Sequence, residues 1–115
     1  MPANASSRLY SLVMEKTRFG GISRLYGDKA AQYFQQCHVA VIGIGGVGSW
    51  VAESLVRSGI GSITLIDLDD VCITNVNRQV HALTSTVNQS KAYTMYKRCL
   101  DINPDCNVRV IDEFV

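Results

Sequence analysis

The sequence predicts an α/β fold: a parallel sheet with helices on both faces, present here as an incomplete N-terminal half. Three observations carry this. Short apolar runs at residues 38–44 and 62–66 read as strands of a parallel sheet. Segments with helical apolar spacing lie between them. A glycine-rich turn, "GIGGVG", joins the first strand to the helix that follows.

The elements follow in order. Residues 1–17 are weakly patterned and are expected to be weakly ordered. Residues 18–37 form an N-terminal helical segment. Within it, Ala30, Ala31, Phe34 and Cys37 fall at helical spacing over 28–37, and Asp28 favours the N-terminal end. "HVAVIGI" is a short apolar strand. "GSWVAESLVRSG" reads as a helix with Val51, Ala52, Leu55 and Val56 inward, stopped at Gly59. "SITLIDLDD" is a second strand that ends in acids. "NQSKAYTMYKRCLDINP" is a second helix of the unit, with Ala92, Met95, Tyr96, Cys99 and Leu100 as its apolar stripe. It ends near Asn103, because Pro104 restricts the residue before it. "NVRVIDEFV" opens a third strand. This strand–helix–strand–helix–strand order is half of a doubly wound, Rossmann-like sheet, and residues 38–115 read as the front of a domain cut at 115.

Bulk properties bound the function. The chain has 115 residues, 47% hydrophobic and 18% charged, enough for one folded domain. Net charge is +1, with 11 basic and 10 acidic residues, so composition gives no warrant for a strongly basic surface. A local basic patch can still hide in a neutral average. Cys37, Cys72, Cys99 and Cys106 lack the spacing of a zinc knuckle. With no secretory leader legible, they read as free thiols of a reducing compartment, the cytoplasm. No stretch approaches a membrane span.

Gly43, Gly45 and Gly48 form G-x-G-x-x-G, in the strand–turn–helix context that binds phosphate at a helix N-terminus. Asp67 lies 19 residues after Gly48, where an acid hydrogen-bonds a ribose in dinucleotide sites. An NAD-dependent oxidoreductase fits this far. Gly46 is an extra glycine that such enzymes do not require. The acids Asp67, Asp69 and Asp70 make better sense if Mg²⁺ arrives with a triphosphate. Asp70 alone reads as a solvated loop acid.

The next residues discriminate between nucleotides. Asn75 can donate and accept, Arg78 offers a planar fork of donors, and Lys91 places a cation at a helix start. Cations ordinarily favour the other end of a helix, so Lys91 implies an anion to meet. Together they read as a triphosphate clamp, which hydride transfer does not need. A non-catalytic nucleotide-binding or assembly module is the other alternative.

"RFGG" with "RLYG", the long glycine-turn run through "DLDDV", "NVNRQ" and "QSK" together resemble the ubiquitin-activating-enzyme-like (ThiF/MoeB-type) adenylyltransferase superfamily. "FGG" with "RLYG", the tryptophan of "GVGSW" and "NRQVHAL" resemble its tRNA threonylcarbamoyladenosine dehydratase branch. The likeness covers about residues 18–115. It implies an ATP-binding domain in which Gly43, Gly45, Gly46 and Gly48 hold ATP and Asp67 binds the ribose. It implies that Asp69 supports Mg²⁺, and that Asn75, Arg78 and Lys91 contact the nucleotide, with Arg78 and Lys91 catalytic. An N-terminal arginine, Arg24 in preference to Arg18, would reach the site of a neighbouring subunit in a homodimer. The implied reaction is ATP-dependent activation of a carboxylate on tRNA, followed by cyclising dehydration. A sulfur-carrier adenylyltransferase, with a sulfur-carrier or sulfur-transfer partner, is the related alternative. Superfamily features that lie later, namely a further strand-end acid, the crossover segment and the substrate face, are missing, so 115 residues alone should not turn over. Cys72 matches no nucleophile of the superfamily and reads as structural or incidental.

Overall fold

The computed structural model describes residues 5–113. Two helices lead the chain: α1 (Ala5–Tyr26) and α2 (Asp28–Gln36). Then come β1 (His38–Ile42), α3 (Gly48–Arg57), β2 (Ser62–Ile66), α4 (Lys91–Ile102) and β3 (Asn107–Ile111). Helix α1 begins inside the segment 1–17 and continues into 18–37, with a kink at Phe19 where φ is −115° and ψ 19°. Residues 1–4 and 114–115, at the ends of the first and last expected segments, lie outside the described residues. The strands form one parallel sheet in the order β1-β2-β3, with Val41 opposite Leu65 and Leu65 opposite Val110. The parallel α/β unit read from the sequence is therefore present.

Alternation along the strands decides where the core lies. Val39, Val41, Ile63, Leu65, Val108 and Val110 share one face. Helices α3 and α4 pack on that face through Ala52, Val56, Ala92, Met95 and Cys99, all fully buried. Burying these side chains contributes roughly 1.5–3 kcal/mol for each of the larger ones. The other face stays open where His38, Ala40 and Ile42 of β1 emerge, with Ile42 66% exposed. A second helix layer, expected on that face, does not occur among the described residues. Strand β1 is thus apolar on both faces, as read, but only one face is covered.

The helices agree with the periodicity, with one correction. Helix α4 starts with a Ser90 cap whose Oγ accepts the Tyr93 N–H at 3.2 Å. It ends at Asn103, before Pro104, as the sequence requires. In α3, Val51 is 41% exposed, whereas Ser49 and Glu53 are buried. The apolar stripe misplaced Val51 because Glu53 occupies the inward position as a paired charge. The Glu53 carboxylate bonds Arg57 Nε at 2.9 Å and Arg98 Nε at 2.6 Å, tying α3 to α4.

Candidate functional site

The glycine turn sits at the C-terminal end of β1, where parallel sheets of this type bind ligands. Gly43 takes a φ of +88°, a conformation that favours glycine, and its N–H bonds the Ile66 carbonyl at 2.8 Å. Gly48 is required for a different reason. A β-carbon there would lie 1.7 Å from the Gly43 carbonyl oxygen, so helix and turn approach as only glycine permits. Helix α3 then starts with no side-chain cap from Val47. The N–H groups of Gly45, Gly46 and Val47 donate to no backbone acceptor among the described residues. Open donors at the positive end of a helix suit an anion.

Asp67 is built into this turn. Its Oδ2 accepts the Ile44 N–H at 2.6 Å, and its Oδ1 accepts the Asp69 N–H at 2.7 Å. The Asp69 carbonyl in turn accepts the Lys91 N–H at 3.0 Å. Residues 70–71 pair with 88–90, through an Asp70–Ser90 bridge and the Val71 N–H to the Gln89 carbonyl at 2.8 Å. These bonds carry the start of α4 to the end of β2, which brings Lys91 to the site. The Lys91 side chain is nearly buried, and the Asp69 side chain is exposed.

Arg78 lies along the turn. A β-carbon on Gly46 would sit 3.7 Å from Arg78 Cδ. Its Nη1 donates to the Thr74 carbonyl at 3.1 Å and to Asn77 Oδ1 at 3.0 Å. No carboxylate pairs with it among the described residues, so its charge is available to an anion. Asn75 is buried, and its Oδ1 accepts the Cys72 N–H at 2.9 Å. That bond shapes the loop and leaves Nδ2 as the group free to meet a ligand. Cys72 is exposed beside it, a free thiol like Cys37 and Cys99. Burial, with the neighbouring Cys106, pushes the Cys99 thiol up to about 12, so it stays protonated and inert.

Two positioning side chains were not singled out as site residues. His81 is fully buried and its Nε2 donates to the Ile44 carbonyl at 2.6 Å. Ile44 is therefore gripped at both its N–H and its C=O. In a trans peptide the C=O and the next N–H point opposite ways, so His81 aims the Gly45 N–H away from itself. Burial holds the His81 pKa below the usual histidine value, and the Lys91 charge adds to this. Trp50 Nε1 donates to the Arg78 carbonyl at 2.8 Å, clamping the arginine loop to α3. Both residues stand in "GVGSW" and "NRQVHAL", but a buried imidazole and an indole donor leave no periodic signature.

Arg24 and Arg18 are elsewhere. Arg24 shares a cavity with Ser58 and Gly59, past the far end of α3 from the turn. Helix α3 is about 15 Å long, so Arg24 lies outside this chain's own turn. Arg18 donates to Asn103 Oδ1 at 3.4 Å, beyond the C-terminal end of α4.

A parallel strand–turn–helix unit with an acid-held glycine turn defines a Rossmann-like domain of the nucleotide-site class. The chain belongs to the ThiF family, whose match covers residues 21–115. It is 60% identical over 100 residues to the tRNA threonylcarbamoyladenosine dehydratase of Escherichia coli strain K12, covering 87% of this chain and 37% of that protein. It is 54% identical over 98 residues to the dehydratase of Haemophilus influenzae, covering 85% of this chain and 38% of that one. The crystal structure of the E. coli dehydratase in complex with ATP superposes with a TM-score of 0.86 over 87% of this chain and 41% of that one. The chain thus spans well under half the length of the curated relatives it matches.

Proposed function

We propose that this chain is the nucleotide-binding part of an enzyme that activates a carboxylate with ATP, and that the carboxylate belongs to threonylcarbamoyladenosine in tRNA. The observation that carries the reading is the meeting of the glycine turn, Asp67, Arg78 and Lys91 at one end of the sheet. The likeness to a dehydratase crystallised with ATP supports it.

A substrate carboxylate oxygen attacks the α-phosphorus of ATP. The bond from that phosphorus to the bridging oxygen breaks, and pyrophosphate leaves. Charge grows on the phosphate oxygens, where the open N–H groups of α3, Arg78 and Lys91 stabilise it. Asp67 has spent two bonds on backbone N–H groups, and a carboxylate accepts about four, so it can still take a ribose hydroxyl. A nucleophilic atom of the same modified nucleoside then attacks the acyl carbon. AMP leaves with the oxygen that is lost, in net terms, as water, and the ring closes. A sulfur-carrier enzyme would share the first step and differ in what attacks the adenylate.

Mg²⁺ fits the residues present as an ion carried by the triphosphate. No group of three or more metal-binding side chains occurs among the described residues, but Mg²⁺ needs only one or two carboxylates beside phosphate oxygens. Asp69 would supply one, and the bound ion would screen phosphate charge. The protein works as a homodimer in this reading, with Arg24 of one subunit reaching the nucleotide of the other. The free thiols Cys37, Cys72 and Cys99 support a reducing compartment, the cytoplasm in this reading.

Calorimetric titration of the full protein, with magnesium present, tests the nucleotide. ATP should bind and NAD should not. Tight NAD binding without ATP binding overturns the reading and returns the site to redox chemistry.

A further inference from the structure

A second cationic site lies at the opposite end of α3 from the glycine turn. Arg18 from α1, Arg57 from α3 and Arg98 from α4 line one cavity of about 390 Å³, with Phe19, Asp101 and Ile102. Three arginines and one acid thus line the same space. Helix C-termini attract cations, which accounts for Arg57 in the last turn of α3, whereas Arg98 stands before the last turn of α4. It does not account for Arg18, which comes from a third helix and reaches the same space.

The cluster is pre-organised. Glu53, only 5% exposed, holds Arg57 by Nε and Arg98 by Nε and Nη2. One carboxylate thus fixes two guanidiniums through one side of each. Among the described residues, the Arg57 Nη groups and the Arg98 Nη1 have no partner. Arg18 spends Nη1 on a long 3.4 Å bond to the neutral Asn103 amide. Counting Glu53 and Asp101 against the three arginines leaves an excess of positive charge. A tetrahedral dianion or a phosphodiester, with several acceptor oxygens, matches such a fork geometry.

We propose that the Arg18–Arg57–Arg98 cavity is a phosphoryl-anion site distinct from the nucleotide turn, occupied by a backbone phosphate of bound RNA or by free phosphate. Its separation of about 15 Å along α3 puts it beyond reach of the same ATP molecule's triphosphate. The RNA arm rests on the tRNA reading above; the phosphate arm does not.

The test uses the full protein and Arg57→Gln. This variant leaves Arg98 on Glu53 and touches no residue placed at the nucleotide. The first arm measures tRNA affinity against salt. Loss of one phosphate contact should weaken binding roughly fivefold and lower the slope of log K against log salt by about one. The second arm measures the melting temperature in inorganic phosphate against chloride at equal ionic strength. Saturating ATP is present so that the turn is filled. Phosphate should stabilise the wild type and not the variant. A change in the first arm assigns the site to RNA; a change in the second alone assigns it to free phosphate. If a folded Arg57→Gln protein matches the wild type in both arms, the site does not exist. ATP affinity, read in parallel, should be unchanged. Failure of ATP to bind the wild type would strike the nucleotide reading and leave the phosphate arm standing.

Discussion

Asp67 holds Ile44: the carboxylate Oδ2 takes the Ile44 N–H at 2.6 Å while Oδ1 takes the Asp69 N–H at 2.7 Å. Ile44 is fully buried with Asp67 in place, so its N–H depends on this carboxylate as acceptor. Asp67→Ala should therefore do more than weaken a ribose contact. Each charge-assisted bond contributes about 1.5–3 kcal/mol, and an orphaned buried N–H costs a similar amount. The expected result is a clear fall in melting temperature together with reduced ATP affinity. Chemical denaturation of variant and wild type measures the first, and calorimetry the second. Unchanged stability would mean that the turn holds itself without Asp67.

Gly48→Ala should damage the turn even though alanine is the better helix former by about 1 kcal/mol. The added β-carbon would stand 1.7 Å from the Gly43 carbonyl oxygen, a backbone atom that cannot swing aside as a side chain would. The turn or the first residues of α3 must shift. Overpacking of this kind costs roughly 1–3 kcal/mol, and the displaced N–H groups should lose ATP at least tenfold. A folded variant with native ATP affinity would show that the approach of helix to turn is not needed for binding.

The parallel unit and its turn were legible because their signals are periodic or local. Apolar runs mark β1 and β2, helical spacing marks α4, and Pro104 marks where α4 stops. The spacing from Gly48 to Asp67 marks the acid. What stayed hidden was long-range pairing of polar groups. Glu53 looks like a surface residue of α3, and only its meeting with Arg98, 45 positions away, shows it to be an interior tie. Val51 was placed inward for the same reason, since an apolar pattern cannot anticipate a buried ion pair. His81 was obscure because it acts on a backbone group, and backbone partners carry no sequence label.

Acid should loosen the turn through His81. Burial, reinforced by the Lys91 charge, holds its folded pKa below the unfolded value of about 6.5. The unfolded chain then binds the proton more readily than the folded one. The stability this contributes is fully present above about pH 6.5 and is lost as pH falls through the folded value. Melting temperature should decline from pH 7 toward pH 5 in the wild type, and the decline should be shallower in His81→Gln. Parallel profiles would clear His81 of this role.

Glu53 should govern a lower window. Burial alone would raise its pKa, but the hydrogen bonds and charges of Arg98 and Arg57 outweigh burial and hold it below the usual value. Its contribution is complete above about pH 4.5 and disappears as pH falls through the depressed folded value. Glu53→Gln should flatten the acid limb of the stability profile below about pH 4.5, and it should leave the pH 5–7 slope to His81. An acid limb identical in both proteins would place the titrating group elsewhere.

Arg78→Ala should affect chemistry more than folding. Arg78 is exposed, it pairs with no carboxylate among the described residues, and Nη1 rests on neutral acceptors, Thr74 O and Asn77 Oδ1. Its removal leaves no buried charge unpaired. The bond from Trp50 goes to the backbone carbonyl of residue 78, so it survives the substitution and keeps the loop on α3. What disappears is a guanidinium whose stem and Nε lie along Gly46. Losing one well-placed donor of this kind costs about 3 kcal/mol in the transition state, or roughly a hundredfold in rate. Single-turnover adenylate formation by the full protein at saturating ATP, with melting temperature as control, reads the effect. A hundredfold loss with the melting temperature kept assigns Arg78 to the transition state. Full turnover in a folded variant means that Arg78 is a surface arginine, and stabilisation of the α-phosphate then falls to Lys91 and the open N–H groups of α3.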